Sequence, residues 1–189
     1  MNVDWSELEC EIRNCEKCDL FKGKTNYVIG AGDISAKISF VGEAPGKNED
    51  IRGKPFVGKS GKLLDELLQS VGLERKDIYI TNIIKCRPPD NRDPKLEEKR
   101  KCSHFLLKQL EIIKPKLVVA LGRHSMEYFF SLFNLGSRKI GECHGELFDI
   151  DSPVFRGSFI VLYHPAVAIY NRNRKEELTK DFAMLKEFK

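Results

Sequence analysis

Short apolar runs alternate with longer amphipathic stretches along most of this chain, and that alternation constrains its fold more than any other feature. Lys37-Ile38-Ser39-Phe40-Val41 reads as a strand stopping at Gly42, and Ile78-Tyr79-Ile80-Thr81 as one stopping at Asn82. Leu117-Val118-Val119-Ala120-Leu121 stops at Gly122, and Phe159-Ile160-Val161-Leu162 runs into Tyr163-His164-Pro165. Between them, helical periodicity places Leu63, Leu64, Leu67, Leu68 and Val71 on one face, and a charged helix spans about Lys95 to Lys114. A first helix precedes the strands, with Trp5, Leu8 and Ile12 on one stripe, and a last helix closes the chain. Residues 145–155 read as a small hairpin or excursion. Strand–helix alternation predicts a parallel sheet covered by helices on both faces. The expected class is therefore α/β, with one domain over residues 1–189.

Ligands of such folds sit beyond the carboxyl ends of the strands. Here those ends carry Gly42-Glu43-Ala44-Pro45-Gly46, Asn82, Gly122-Arg123-His124 and His164-Pro165. A carboxylate, an amide and an imidazole, far apart in sequence, are thus predicted to share one rim. That convergence points to a single active site.

Bulk properties exclude more than they assign. No apolar run approaches the ~20 residues of a membrane span, and the N-terminal stretch MNVDWSELECEIRN is charged throughout. The expectation is a cytoplasmic, monomeric protein away from membranes. A net charge of +4 permits a polyanionic partner without requiring one.

Six cysteines in a chain without a secretory signal point to metal or redox chemistry. Cys15 and Cys18 form a C-x-x-C loop, while Cys86 and Cys102 make a wider pair. Four thiolates suit zinc or a [4Fe–4S] cluster, though the wide second pair fits a zinc ribbon poorly. Cys10 and Cys143 have no partner at ligand spacing and read as core or disulfide residues.

Residues 53–60, GKPFVGKS, match a phosphate-binding P-loop as a string. A P-loop follows a buried strand, whereas Lys47 to Arg52 is polar, so nucleotide hydrolysis is not expected. The glycines and Ser60 at a helix start would still suit a phosphate of a nucleic-acid backbone. Lys85 to Lys101 is rich in basic residues, with Arg87 and Arg92 as candidate backbone contacts. Asn171 to Arg174 is a second such stretch. Phe56, in a glycine-rich loop, reads either as a base-stacking ring or as a hydrophobic plug. His104, His124 and His144 read as structural or surface residues.

Together GEAPGKNED (42–50), GKPFVGKSGKLLD (53–65), TNIIKCRPPDNRDP (81–94), HPA (164–166) and the four cysteines resemble the family 4, iron–sulfur uracil-DNA glycosylases over nearly the whole chain. The resemblance implies a three-layer α/β/α sandwich with a four-stranded parallel sheet, acting on uracil in single- or double-stranded DNA to start base excision repair. It implies a structural [4Fe–4S] cluster on Cys15, Cys18, Cys86 and Cys102. It also implies a uracil pocket of Gly42, Glu43, Ala44, Phe56, Asn82 and His164. In that pocket Phe56 stacks on the base, Asn82 pairs with its edge and His164 bonds O2. Family 1 enzymes carry GQDPY in the first motif, with Asp as water activator and Tyr as guard against thymine. Here Ala44 and Gly46 stand at those places, so the carboxylate role passes to Glu43, with Glu49 second for that role or as the guard. A histidine-bearing KRRIH insertion that traps DNA covalently in a relative is absent. The reading from a different class is a non-catalytic cysteine–metal DNA-binding module.

Overall fold

The computed structural model describes residues 4–189. Every apolar run read from the sequence becomes a strand, and two further strands flank them. In chain order the strands are β1 (Ala31–Gly32), β2 (Ile38–Gly42), β3 (Tyr79–Asn82), β4 (Leu117–Leu121), β5 (Leu147–Asp151) and β6 (Arg156–Leu162). The helices are α1 (Trp5–Arg13), α2 (Leu20–Gly23), α3 (Lys47–Arg52), α4 (Lys59–Ser70) and α5 (Leu96–Ile113). They continue with α6 (Arg123–Leu132), α7 (Ile140–Cys143), α8 (Pro165–Ala168) and α9 (Arg172–Phe182).

The sheet corrects one expectation: it is mixed and six-stranded, in the order β1-β3-β2-β4-β6-β5, not four-stranded and parallel. The inner four strands are mutually parallel, and β1 and β5 pair antiparallel at the two edges. Neither edge was read from the sequence as a strand of the main sheet, for physical reasons. A two-residue strand has no periodicity, and in β5 only Ile150 is buried, so no apolar run marks it. The hairpin expected at 145–155 is real, since β5 turns into β6 through Ser152, whose N–H donates to Phe155 O at 3.0 Å.

Alternation along the central strands sorts their side chains onto two faces. Val118 and Ala120 join Val41, Phe159 and Val161 beneath α1, α5 and α6, through Leu8, Ile12, Phe105, Leu106, Leu110 and Phe129. Leu117, Val119 and Leu121 join Phe40 and Ile160 beneath α4 and α9, through Leu64, Leu67, Leu68, Leu178 and Phe182. The result is three layers with two cores, in which each fully buried Leu or Phe is worth about 1.5–3 kcal/mol.

The strand order also sets where a site forms. From β2 the chain moves to β3 on one side, then crosses back to β4 on the other side of β2. Reversal of direction opens a crevice at the carboxyl ends of β2 and β4. Glu43 follows β2 and His124 begins α6 just past β4, so both stand at that crevice.

Candidate active site

Gly42 and Asn82 end neighbouring strands in register. Beyond them the two chains stay together, with Ile83 N–H donating to Gly42 O at 3.0 Å and Ile84 N–H to Glu43 O at 3.1 Å. The close approach explains the glycine. A Cβ on residue 42 would stand 2.4 Å from Asn82 Oδ1 and 2.9 Å from Phe56 Cζ. Asn82 is only 2% exposed, yet among the described residues no side-chain or backbone group bonds its amide. Among the described residues the sealed, partnerless side-chain oxygens are Ser39 Oγ and Glu43 Oε1, whereas the Asn82 amide keeps access to the crevice, where a ligand can meet it.

His164 faces the same space from the end of β6. Its Nδ1 accepts the Ala166 N–H at 3.1 Å, which leaves the proton of the neutral ring on Nε2. Desolvation pushes the imidazole pKa down to about 4, against an opposing pull from Glu49. The ring therefore serves as a neutral donor at ordinary pH. Phe56 lies across from it, with ring centroids 5.5 Å apart and planes at 28°.

Phe56 is held in a left-handed conformation, φ 52°, which a bulky residue adopts only when its surroundings enforce it. Two side chains do so. Glu49 Oε1 accepts the N–H groups of Val57 at 2.9 Å and Gly58 at 3.0 Å. Arg75 donates to the carbonyls of Pro55 at 3.1 Å, Phe56 and Gly61, while pairing with Asp65. Glu49 is thus occupied in holding the stacking loop. The loop is preceded by helix α3 rather than a buried strand, consistent with dismissing a P-loop.

Glu43 is half-buried beside the crevice. Its Oε1 is enclosed, 2.9 Å from Lys99 Nζ and 3.4 Å from His124 Nδ1, as charge contacts without an aligned hydrogen bond. Ala44 packs against the α1–α5–α6 core.

The sequence-selected cysteines also meet. Cys15, Cys18, Cys86 and Cys102 line one cavity with Tyr27, Ile84 and Phe105, and none is in a disulfide. Burial pushes Cys86 up to about 12 and Cys102 to about 11, and Cys18 is raised for the same reason. Backbone N–H groups of Leu20 and Lys85 point at Cys18 and Cys102 respectively. Cys10 is exposed and Cys143 buried, and both are free thiols, so the core reading holds for Cys143 alone.

Lys85 stands between this corner and the rim. It is wholly buried and donates to Thr81 Oγ1 at 2.8 Å, Asn82 O at 2.7 Å and Gln109 Oε1 at 2.7 Å. Burial among neutral acceptors pushes its pKa down to about 7.

Other basic candidates are engaged within the protein. Arg92 forks onto Glu98 at 2.9 and 2.6 Å, and Arg87 Nε donates to Asn91 at 2.7 Å. Asn171 caps α9 through Arg174 N–H, while Arg174 reaches Tyr163 and Glu177. Sequence reasoning missed Lys99, Arg75 and Lys85, and set His124 aside as structural. For His124 the signal was present, since it was already on the rim at the end of β4.

The sequence profile of the Uracil DNA glycosylase superfamily matches residues 29–186. The type-4 uracil-DNA glycosylase of Archaeoglobus fulgidus is 49% identical, covering 94% of this chain and 89% of that protein. Those of Saccharolobus solfataricus (46%, covering 94% and 82%) and Thermotoga maritima (41%, covering 89% and 84%) are similar. A solution structure from Methanosarcina acetivorans, 17% identical, covers 86% of this chain and 98% of that one at a TM-score of 0.52, which shows the shared fold.

Proposed function

The chain belongs to the uracil-DNA glycosylase superfamily and excises uracil from DNA, and from that premise we propose how its own residues carry out the hydrolysis. The single observation that carries the reading is the Asn82 side-chain amide set against Gly42 and the Phe56 ring at the carboxyl ends of the strands. A flipped uracil stacks on Phe56 and presents O4 and N3–H to Asn82, whose NH₂ donates to O4 and whose oxygen accepts from N3–H. Gly42 provides room for the base and Ala44 backs the rim.

The N1–C1′ bond then lengthens, leaving positive charge on the sugar and negative charge on the base. Neutral His164 donates through Nε2–H to O2, where that negative charge gathers. Glu43 faces the cationic sugar and orients a water whose oxygen bonds C1′. The water proton leaves to solvent, and uracil departs as the N1 anion before taking up a proton. Glu49 keeps its place as second carboxylate, with a loop-holding role that supports base stacking. The proposed substrate is uracil in single- or double-stranded DNA, met by a monomer, and repair of uracil lesions is the process served.

Four free thiols around one cavity fit a [4Fe–4S] cluster held by Cys15, Cys18, Cys86 and Cys102. Burial of Cys86 and Cys102 disfavours bare thiolates there, and thiolate–iron bonds would offset that cost. Among the described residues, the His, Cys and carboxylate trio that closes within 4.8 Å is Glu43, Asp93 and His124, not the cysteines. When bound, such a cluster would tie the C-x-x-C loop to α5 and the loop after β3 as a structural clamp.

A non-catalytic metal module is disfavoured by the glycosylase relatives and by the polar groups on the rim. The test compares matched uracil and cytosine oligonucleotides. Wild type releases free uracil alone. Asn82→Asp should lose most uracil excision, since a carboxylate cannot donate to O4, and gain some cytosine excision, with discrimination of up to ~10⁴-fold at stake. Full retention of uracil preference by Asn82→Asp would remove Asn82 as the reader.

A further inference from the structure

Glu43 is the carboxylate on which the hydrolysis above rests, and its two oxygens are treated very differently. Oε1 is closed off from solvent and faces Lys99 Nζ at 2.9 Å and His124 Nδ1 at 3.4 Å. Lys99 comes from α5 and His124 from the first turn of α6, so two separate helices converge on one oxygen. Both side chains are largely shielded, with 17% and 23% exposure, so water screens the interaction only in part.

His124 is itself held from several sides. Its Nε2 faces Asp93 Oδ2 at 3.2 Å and the Arg123 guanidinium at 3.2 Å, and its Nδ1 also lies 3.7 Å from Glu127 Oε2. Asp93 belongs to the loop between β3 and α5, next to Arg92. Glu43, Asp93 and His124 bring one ligand atom each within 4.8 Å, a spacing that would also suit a metal ion. The Lys99 ammonium already supplies the positive charge there, and a metal beside it would be repelled.

Building on the role of Glu43 given above, we infer that Lys99 and His124 are positioning residues that fix Glu43 through Oε1 and reserve Oε2 for the attacking water and the sugar cation. A carboxylate free to rotate would spend most of its time with neither oxygen aimed at C1′, and misplacement of a catalytic group by a fraction of an ångström lowers rates steeply. The arrangement replaces, by contacts from α5 and α6, whatever orientation the family 1 Asp receives at the place Ala44 holds here.

The experiment is a double-mutant cycle read by single-turnover uracil release, with affinity for uracil DNA measured in parallel. Lys99→Met and His124→Gln should each slow cleavage about tenfold, the scale of losing one charged contact. Affinity at two salt concentrations should change less than about threefold, since neither residue is assigned to a phosphate. Lys99→Arg should restore most of the rate. In a Glu43→Gln background, which is itself slow, adding either substitution should lower the rate no further, because residues acting through one group are not additive.

Multiplying losses in the Glu43→Gln background would overturn the inference, as would salt-dependent loss of DNA affinity in Lys99→Met. A slow Glu43→Gln alongside normal Lys99→Met and His124→Gln sinks the inference alone. A normal rate for Glu43→Gln sinks the catalytic reading of Glu43 and the inference with it. Melting curves of each variant separate these effects from unfolding, and the His124→Gln arm decides the matter if Lys99→Met does not fold.

Discussion

The rim at the carboxyl ends of the strands and the cysteine corner beside it are built on opposite principles. The rim is finished by the chain itself. Its imidazole is locked into one tautomer, its phenylalanine ring is clamped in a left-handed conformation, and its carboxylate is fixed on one oxygen. What it leaves open to a ligand is the Asn82 amide, at the place proposed for the base. The corner, by contrast, gathers four free thiols, and burial raises the pKa of three of them, Cys18, Cys86 and Cys102. A preorganised site has its unsatisfied group aimed at the substrate, whereas a cofactor site has its unsatisfied groups aimed at one another. Lys85 joins the two, anchored to the Asn82 carbonyl one residue before Cys86.

The sharpest break of this contrast is at the corner. Replacing Cys86 or Cys102 with Ser should abolish iron content and the broad absorbance near ~400 nm of a cubane, and lower the melting temperature, because metal binding and local folding are coupled. Cys10→Ser should change neither. Colourless wild-type protein carrying one zinc would end the cluster assignment.

At the rim the effects should be large on rate and small on stability. His164→Ala is expected to slow single-turnover excision about 10²-fold, the scale of losing one preorganised donor, with little change in affinity for uracil DNA. A normal rate would mean that another group meets O2.

A smaller effect is expected where the rim is merely crowded. Gly42→Ala forces a methyl against Asn82 Oδ1 and the Phe56 ring, and overpacking of this kind costs about 1–3 kcal/mol. Excision should fall by roughly tenfold as the slot narrows. Cluster absorbance should be unaltered, and any loss of it would show that the two regions are mechanically one.

The subtlest effect is a pH slope. His164 binds a proton with a pKa of about 4 in the folded chain, below the 6.5 ordinary for imidazole. Between those values the unfolded chain takes up a proton that the folded chain refuses, so stability should fall as pH drops through that window. His164→Gln should flatten this part of the stability curve. Ring ¹⁵N shifts should report the Nε2–H tautomer down to about pH 5, and a ring charged at pH 6 would refute the neutral-donor assignment.

Much of this was readable in the chain because it depends on local chemistry. Val118 through Ala120 are buried on both faces of the sheet, so they form an unbroken apolar run that marks a central strand without any knowledge of neighbours. Gly42, Asn82 and His164 were visible because each ends such a run, and strand ends in this fold class bear the ligand. The C-x-x-C spacing of Cys15 and Cys18 carries its meaning by itself. Edge strand β1 was not readable, being two residues long, and β5, mostly exposed, was legible only as part of a small hairpin or excursion and not as a strand of the main sheet.

What only the tertiary structure decided is which side chains stand against the ones that do the work. Nothing near Glu43 in sequence indicates that Lys99 and His124 close on its Oε1, since that meeting depends on β4 lying beside β2 rather than beyond β3. The same holds for Arg75 beneath Phe56 and for Lys85 among Thr81 and Gln109. Periodicity and strand ends are properties of neighbouring residues, and they survive in a string of letters. The partners of a buried charge are set by strand order and helix placement, which arise only when distant segments pack, and there the sequence alone had no means of choosing.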